Sequence, residues 1–403
     1  MKSRPAMRLC ILFLAAVMAV FTFDTASADA AFQKWLAGFR PVAMKSGVSK
    51  ATFDGAFSGM TAPDFETIEK MGRQAEFTKK VWEYLDAAVS EQQIRVGREM
   101  RRKYGAKLAS IEERYGVDAD IVLAVWGIET RYGARMGDHN VIHALATLAY
   151  AAPRRQEFWT RELINALKIV QGGHVVPAKM IGSWAGAMGH TQFMPSSWKK
   201  YAADYEGDGK RDIWTNIGDA LSSTANYLAE HGWQKGRTWG YEVMLPKGFN
   251  MKLEGKDGIT LNEWQAMGLR RANGATFPRG TEEAVLKMPA GRGAPAFLVL
   301  KNFYVIKRYN NSDFYALAVG HLADRIAGGK EFIGKWPRGY DPLDEAGRKQ
   351  VQQILSRLGF YEGEIDGAIG SGSKASIMAY QASIGMEPDG FASKELLKKL
   401  KGK

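Results

Sequence analysis

The chain has 403 residues, 46% of them hydrophobic and 24% charged, with 55 Lys and Arg against 43 Asp and Glu for a net charge of +12. This composition excludes a disordered or low-complexity chain and is long enough for a large domain plus a small one. A basic balance of this size suits a polyanionic partner.

Lys2, Arg4 and Arg8 precede the apolar run Leu9–Phe23, and Ala26-Ser27-Ala28 follows with small residues where a signal peptidase reads. The pattern predicts a cleaved secretory leader over 1–28, because the run is shorter than the ~20 residues a spanning helix needs. An uncleaved anchor is the alternative. Cys10 is the only cysteine and lies inside the leader, so the exported chain has no disulfide and no cysteine at the cleavage point for lipid attachment. An exported chain makes nucleic acid a poor partner for its positive charge. The cell wall, with its peptide carboxylates, is a better one.

Helical spacing recurs in Lys79–Tyr104, Asp118–Thr130, Arg154–Val170 and Ala220–His231. The fold class expected over 29–326 is mainly α, with a small inserted β-sheet where Tyr241–Leu245, Ala284–Met288 and Phe297–Leu300 read as short strands between turns. Residues 327–343 are dense in Gly and Pro and read as a linker. The unit 344–403 shows helical stripes at Val351, Ile354, Leu355 and Leu358, then at Ile377, Tyr380 and Ile384, with Gly359 as a stop.

Asp118 is a good N-cap for a helix apolar on nearly every face, and Gly133 reads as its stop. Glu129 is then a lone carboxylate in the last turn of a buried helix, where lost hydration and the helix dipole both favour the neutral form. That is the shift a proton-donating acid needs. Arg131 would oppose it, and a structural Glu paired with such a base is the alternative. Glu157 or Asp138 could supply a second carboxylate. In Gly182–Trp198, glycines among aromatics imply close backbone approach, while Ser183 and Gln192 offer neutral groups suited to hydroxyls and amides. Tight helix packing is the other reading of that segment.

Asp204, Glu206, Asp208, Lys210 and Asp212 alternate with Gly209 at the sixth position, like the front of an EF-hand loop, but its twelfth residue is Thr215 rather than Glu. Either a calcium loop or an Asp-Gly turn fits. The six histidines show no zinc spacing, and His190 reads as a hydrogen-bonded structural residue.

Val125–Gly133, Gly182–Trp198, Ala225–Leu228, Arg154-Arg155-x-Glu157-Phe158 and Arg308–Tyr315, in this order, resemble the motifs of the membrane-bound lytic transglycosylase B family over roughly 31–326. The resemblance implies a lysozyme-like helical domain and cleavage of the MurNAc-GlcNAc bond of peptidoglycan with formation of 1,6-anhydromuramoyl ends. It further implies Glu129 as acid/base, with Ser183 and Gln192 on substrate N-acetyl and hydroxyl groups. Tyr227, Tyr309 and Tyr315 would line the saccharide groove, and Arg154 and Arg155 would face a peptide or lactyl carboxylate unless they serve in structural salt bridges. No cofactor is implied for catalysis, and a structural calcium is implied at the 204–212 loop, with the Lys210 carbonyl as a ligand. The missing lipid-attachment cysteine points to the soluble branch.

The unit 344–403 resembles the three-helix peptidoglycan-binding domain type 1. Together these readings give a periplasmic enzyme whose partner is the glycan strand, not nucleic acid or membrane. A hydrolytic muramidase of the same fold and a non-catalytic wall-binding scaffold are the competing readings.

Overall fold

The computed structural model describes residues 25–72, 80–291, 293–338, 343–386, 388 and 390–402. Of the expected leader, 1–24 lie outside the described residues, and a helix Thr25–Lys45 runs through its end. The helix Ala119–Thr130 is the axis of the main domain, with Val122, Leu123, Ala124 and Val125 fully shielded from solvent. Apolar on nearly every face, it must be covered all round. Helices Glu91–Lys103, Gly105–Tyr115, Ile217–Glu230 and Asp313–Ile326 pack against it. Helices Val141–Ala151 and Gln156–Gln171 pair beside this core.

The ends of this axis differ from the sequence expectation. Asp118 occupies the N-cap position without a side-chain capping bond, and the Ala119 N–H is taken instead by Glu112 at 3.1 Å. The stop comes two residues before Gly133, since Arg131 and Tyr132 already have φ of 50° and 57°. Non-glycine residues rarely adopt that conformation. Tyr132 is held there by its hydroxyl, which donates to the Gln93 carbonyl at 2.9 Å. The expected helix Lys79–Tyr104 is two helices, Val81–Ala88 and Glu91–Lys103, because Ser90 caps the second by accepting from the Gln93 N–H.

The inserted sheet is antiparallel, in the order Arg270–Arg271, Gly240–Met244, Ala296–Val299, Val285–Lys287. It encloses its own core around Leu261, Trp264, Leu286 and Leu298. Three of its strands match the expectation within two residues. Arg270–Arg271 and a separate pair, His139–Asn140 with Ile181–Gly182, are too short for periodicity to register.

Residues 345–400 form helices Glu345–Arg357, Ser371–Ser383 and Lys394–Leu400 around Val351, Leu355, Ile377 and Leu396. Leu358 and Ile384, assigned to the stripes, are exposed. The expected linker is no loose tether. Phe332 packs on Phe297 and His321, and Glu242 accepts from the Ile333 and Gly334 N–H groups. Arg338 pairs with Asp86. Part of that segment, 339–342, lies outside the described residues. Among the described residues no helix is long and apolar enough to cross a membrane.

Candidate active site

Glu129 lies in the last turn of Ala119–Thr130 and is partly buried among tyrosines. The Tyr315 hydroxyl donates to its Oε1 at 2.6 Å. Burial lifts the carboxyl to about 7, against the opposing pull of the Tyr315 bond. Arg131 makes no ion pair with it among the described residues, and no second carboxylate contributes to its shift. Glu157 is exposed on the first turn of its own helix, and Asp138 is exposed beside His139. Neither is among the causes of the Glu129 shift, which are burial and the Tyr315 bond.

Tyr315 is buried, and its ring stacks at 6.4 Å on Tyr309, whose hydroxyl donates to the Thr191 carbonyl at 2.7 Å. Burial first, and then the Glu129 charge, push both phenols well above their usual range. Tyr227 stands behind Tyr309 at 4.8 Å, shielded from solvent, with its hydroxyl committed to the Arg308 carbonyl. It supports the wall of the site rather than forming its surface. Tyr84, which sequence reading missed, also faces Glu129. Burial and then that carboxylate push its phenol up to about 12. Within an amphipathic helix Tyr84 looked like any half-buried ring, and only the fold brings it to Glu129.

The Gly182–Trp198 segment is built by close approaches. A Cβ on Gly182 would collide with the Ala187 carbonyl, and one on Gly137 with the Gly182 carbonyl. Ser183 Oγ accepts from the Ala187 N–H at 3.0 Å, which leaves its own O–H free to donate. Gln192, at φ 51°, donates through Nε2 to the Met136 and Gly189 carbonyls, which leaves Oε1 free to accept. Both side chains thus shape the loop and keep one polar atom available. His190 ties this segment to the Glu129 helix: its Nδ1 accepts from Trp126 Nε1 at 3.0 Å, and its carbonyl accepts from the Thr130 hydroxyl. Burial drives its imidazole down to about 4, so it is neutral, as a structural histidine should be.

Arg154 and Arg155 are exposed in the turn before Gln156–Gln171 and are not hydrogen-bonded to the residues around Glu129. Among the described residues neither forms a salt bridge. The Arg155 guanidinium lies 4.2 Å over the Phe158 ring.

The 204–215 loop is closed by its own donors. Asp204 accepts from the N–H groups of Gly207, Asp208 and Gly209, and Asp208 from that of Lys210. Asp212 accepts from Trp214 and Thr215, while Glu206 pairs with Lys107 at 2.7 Å and accepts from Asn216. Asp219, unsuspected from the sequence, is fully buried and accepts from the Tyr205 and Asp212 N–H groups at both ends of the loop. Burial lifts it to about 6, with Glu206 and Asp204 adding to the rise and the two N–H bonds opposing it. Among the described residues no three His, Cys, Asp or Glu side chains are gathered as a metal cage. As they stand, the carboxylates of the expected positions are held by these partners rather than gathered around a common centre.

The transglycosylase SLT domain matches residues 31–324. The chain belongs to that family. The peptidoglycan binding domain matches residues 344–400. The membrane-bound lytic murein transglycosylase B of Escherichia coli (strain K12) is 39% identical over 220 residues, which span 53% of this chain and 58% of that relative. The structure of SltB3 from Pseudomonas aeruginosa in complex with NAG-NAM-pentapeptide is 46% identical, with a TM-score of 0.87, and the match covers 92% of this chain and 99% of that one. SltB3 was also solved with NAG-anhNAM-pentapeptide. The Escherichia coli lytic transglycosylase Slt35 in complex with calcium is 30% identical, with a TM-score of 0.61, over 74% of this chain and 92% of that one. The fold is the mostly helical, lysozyme-like one of these enzymes.

Proposed function

We propose that the protein is a lytic transglycosylase that cleaves the β-1,4 bond between MurNAc and GlcNAc and leaves a 1,6-anhydromuramoyl end. The observation that carries this is the lone Glu129 carboxyl, held near 7 by burial and hydrogen-bonded to Tyr315, in a member of this family. Neutral Glu129 donates its proton to the glycosidic oxygen as the bond breaks. The sugar's 2-acetamido group shields the oxocarbenium-like carbon, as in substrate-assisted glycosidases. The carboxylate so formed then takes the proton of the C6 hydroxyl as that oxygen attacks C1. One group serves as acid and then as base, and no water is consumed.

The rings of Tyr84, Tyr309 and Tyr315 exclude water from Glu129 and so favour its neutral form, against the opposing bond from the Tyr315 hydroxyl. The free Ser183 O–H and Gln192 Oε1 are the atoms offered to substrate N-acetyl and hydroxyl groups. Arg154 and Arg155, exposed and without an ion pair among the described residues, are available to a peptide or lactyl carboxylate. The unit 344–403 binds wall and raises local substrate concentration, and the leader 1–28 sends the chain to the periplasm.

The chemistry has no step for calcium. A weak structural calcium at Asp204, Glu206, Asp208, the Lys210 carbonyl and Asp212 is supported by the residue spacing and by the calcium complex of Slt35. It requires these carboxylates to give up their backbone and Lys107 partners, so its affinity is low.

Digestion of purified sacculi by the full chain tests the activity, with products read by mass spectrometry. The proposal predicts muropeptides lighter by one water than their hydrolytic counterparts. Reducing-end products of full mass would establish a muramidase, and no release at all would establish a binding scaffold.

A further inference from the structure

The helix Asp313–Ile326 carries Tyr315 in its first turn and Asp324 in its last, nine residues on and so about 13 Å along the axis. At the Asp324 end lies a cleft of 590 Å³, with an adjoining 330 Å³ hollow that shares Tyr241, Arg271, Asn273, Asp324 and Lys330. The strand Gly240–Met244 and the turn beyond Arg270–Arg271 form one side. The chain after Ile326 forms the other. Cross-strand pairing of Val243 with Arg271 sets the Arg271 guanidinium 4.7 Å over the Tyr241 ring, and Phe277 meets that ring edge-on at 5.5 Å.

Arg271 and Arg279 line the cleft with Tyr241, whose phenol is raised by burial first and then by Glu282, while the charges of Arg271, Arg279 and Arg237 hold it down. Of these three, Arg237 alone has an acidic partner among the described residues, Glu282. Arg271 donates to the Thr276 carbonyl at 3.1 Å, and neither it nor the exposed Arg279 and Lys330 forms an ion pair among the described residues. Arg271, Arg279 and Lys330 therefore line one cleft without forming an ion pair among the described residues, while Glu331 and Glu242 of the adjoining hollow are engaged by Arg325 and by the Ile333 and Gly334 N–H groups. A guanidinium fork matches a carboxylate. Asp324 sits among these basic residues, with Oδ2 accepting from Trp239 Nε1 at 3.0 Å. An acid in that place disfavours a polyanion and favours a ligand with an amine beside its carboxylate.

We propose that this cleft is a second wall-contacting site, which binds the carboxylate and amine of a stem peptide away from the glycan-cleaving centre. The proposal rests on peptidoglycan as the substrate and adds to it a contact independent of Glu129. The bound peptide would belong to a strand or sugar other than the one being cut, holding the enzyme to cross-linked wall.

The test titrates the full chain with the sugar-free tripeptide L-alanyl-γ-D-glutamyl-meso-diaminopimelate, read by calorimetry. Saturable binding is expected, undisturbed by peptide-free glycan fragments. It should weaken about tenfold or more, as for one lost charge-assisted hydrogen bond, in the exposed double variant Arg279→Ser/Lys330→Ser. Acetylating the tripeptide's amines should weaken it too. Absence of binding, equal binding by the variant, or displacement by peptide-free glycan overturns the proposal. Cleavage of peptide-free glycan by the same variant separates the two readings: its rate should equal that of wild type, and loss of cleavage in the wild type itself would contradict the activity and leave the tripeptide result standing.

Discussion

Tyr315→Phe removes one hydroxyl and keeps the ring that packs against Tyr309. The lost bond, 2.6 Å long, stabilises the ionised form of Glu129 and so holds its pKa down against burial. A hydrogen bond to a charged group contributes about 1.5–3 kcal/mol, and one pKa unit is about 1.4 kcal/mol, so its removal lifts Glu129 by roughly one unit or more. The acid is active when protonated, and that form is lost as pH rises through the pKa. In wild type the descending limb of kcat/KM against pH, measured on a soluble glycan, therefore lies near 7. In Tyr315→Phe it should move to about 8 or higher. A limb that stays in place, or moves to lower pH, would refute the argument. A change in KM alone would reduce Tyr315 to a sugar contact.

Truncation after Arg338 should leave a soluble protein that cleaves short muropeptides but pulls down sacculi weakly. Equal sacculus binding by the truncated and full chains would exclude 344–403 as the wall anchor. A cut at Ile333 should be less stable than one after Arg338, because it removes Trp336 and the Gly334 N–H bond to Glu242, a difference read by melting temperature. Calcium added to metal-stripped protein should raise the melting temperature only in the ~10⁻⁴–10⁻³ M range, and Asp204→Ala/Asp208→Ala should abolish the rise. A melting curve indifferent to millimolar calcium would make the loop a plain Asp-Gly turn. Gly182→Ala should lower stability by about 1–3 kcal/mol, since its Cβ meets the Ala187 carbonyl and Val141. An unchanged melting temperature would contradict the close approach.

The burial of Glu129 was legible because its cause is local: a helix apolar on nearly every face is covered by its neighbours, and a carboxylate in its last turn loses hydration. The strands at 241, 285 and 297 were legible for the same reason, each carrying its own alternation and turns. What escaped depends on contacts far along the chain. Tyr84 reaches Glu129 from 45 residues away, and Asp219 becomes a loop anchor only because the helix Ile217–Glu230 points it at two backbone N–H groups. Ser183 and Gln192 read from the sequence as free polar groups, yet Ser183 Oγ accepts from Ala187 within its own loop and Gln192 Nε2 is committed to the Met136 and Gly189 carbonyls. Within the segment read as a linker, the abundance of Gly and Pro hid the docking of Phe332 and Trp336 on Phe297, a contact that only the fold creates.

The most direct test of the central claim is the turnover of Glu129→Gln on purified sacculi. The substitution keeps size and polarity and removes both the proton given to the glycosidic oxygen and the carboxylate that takes the C6 hydroxyl proton. Released anhydromuropeptides should fall by at least ~10²-fold while sacculus binding is retained, in line with the ~10²–10⁴ attributed to general acid/base catalysis. A folded variant that keeps more than about a tenth of wild-type release would contradict Glu129 as sole acid and base.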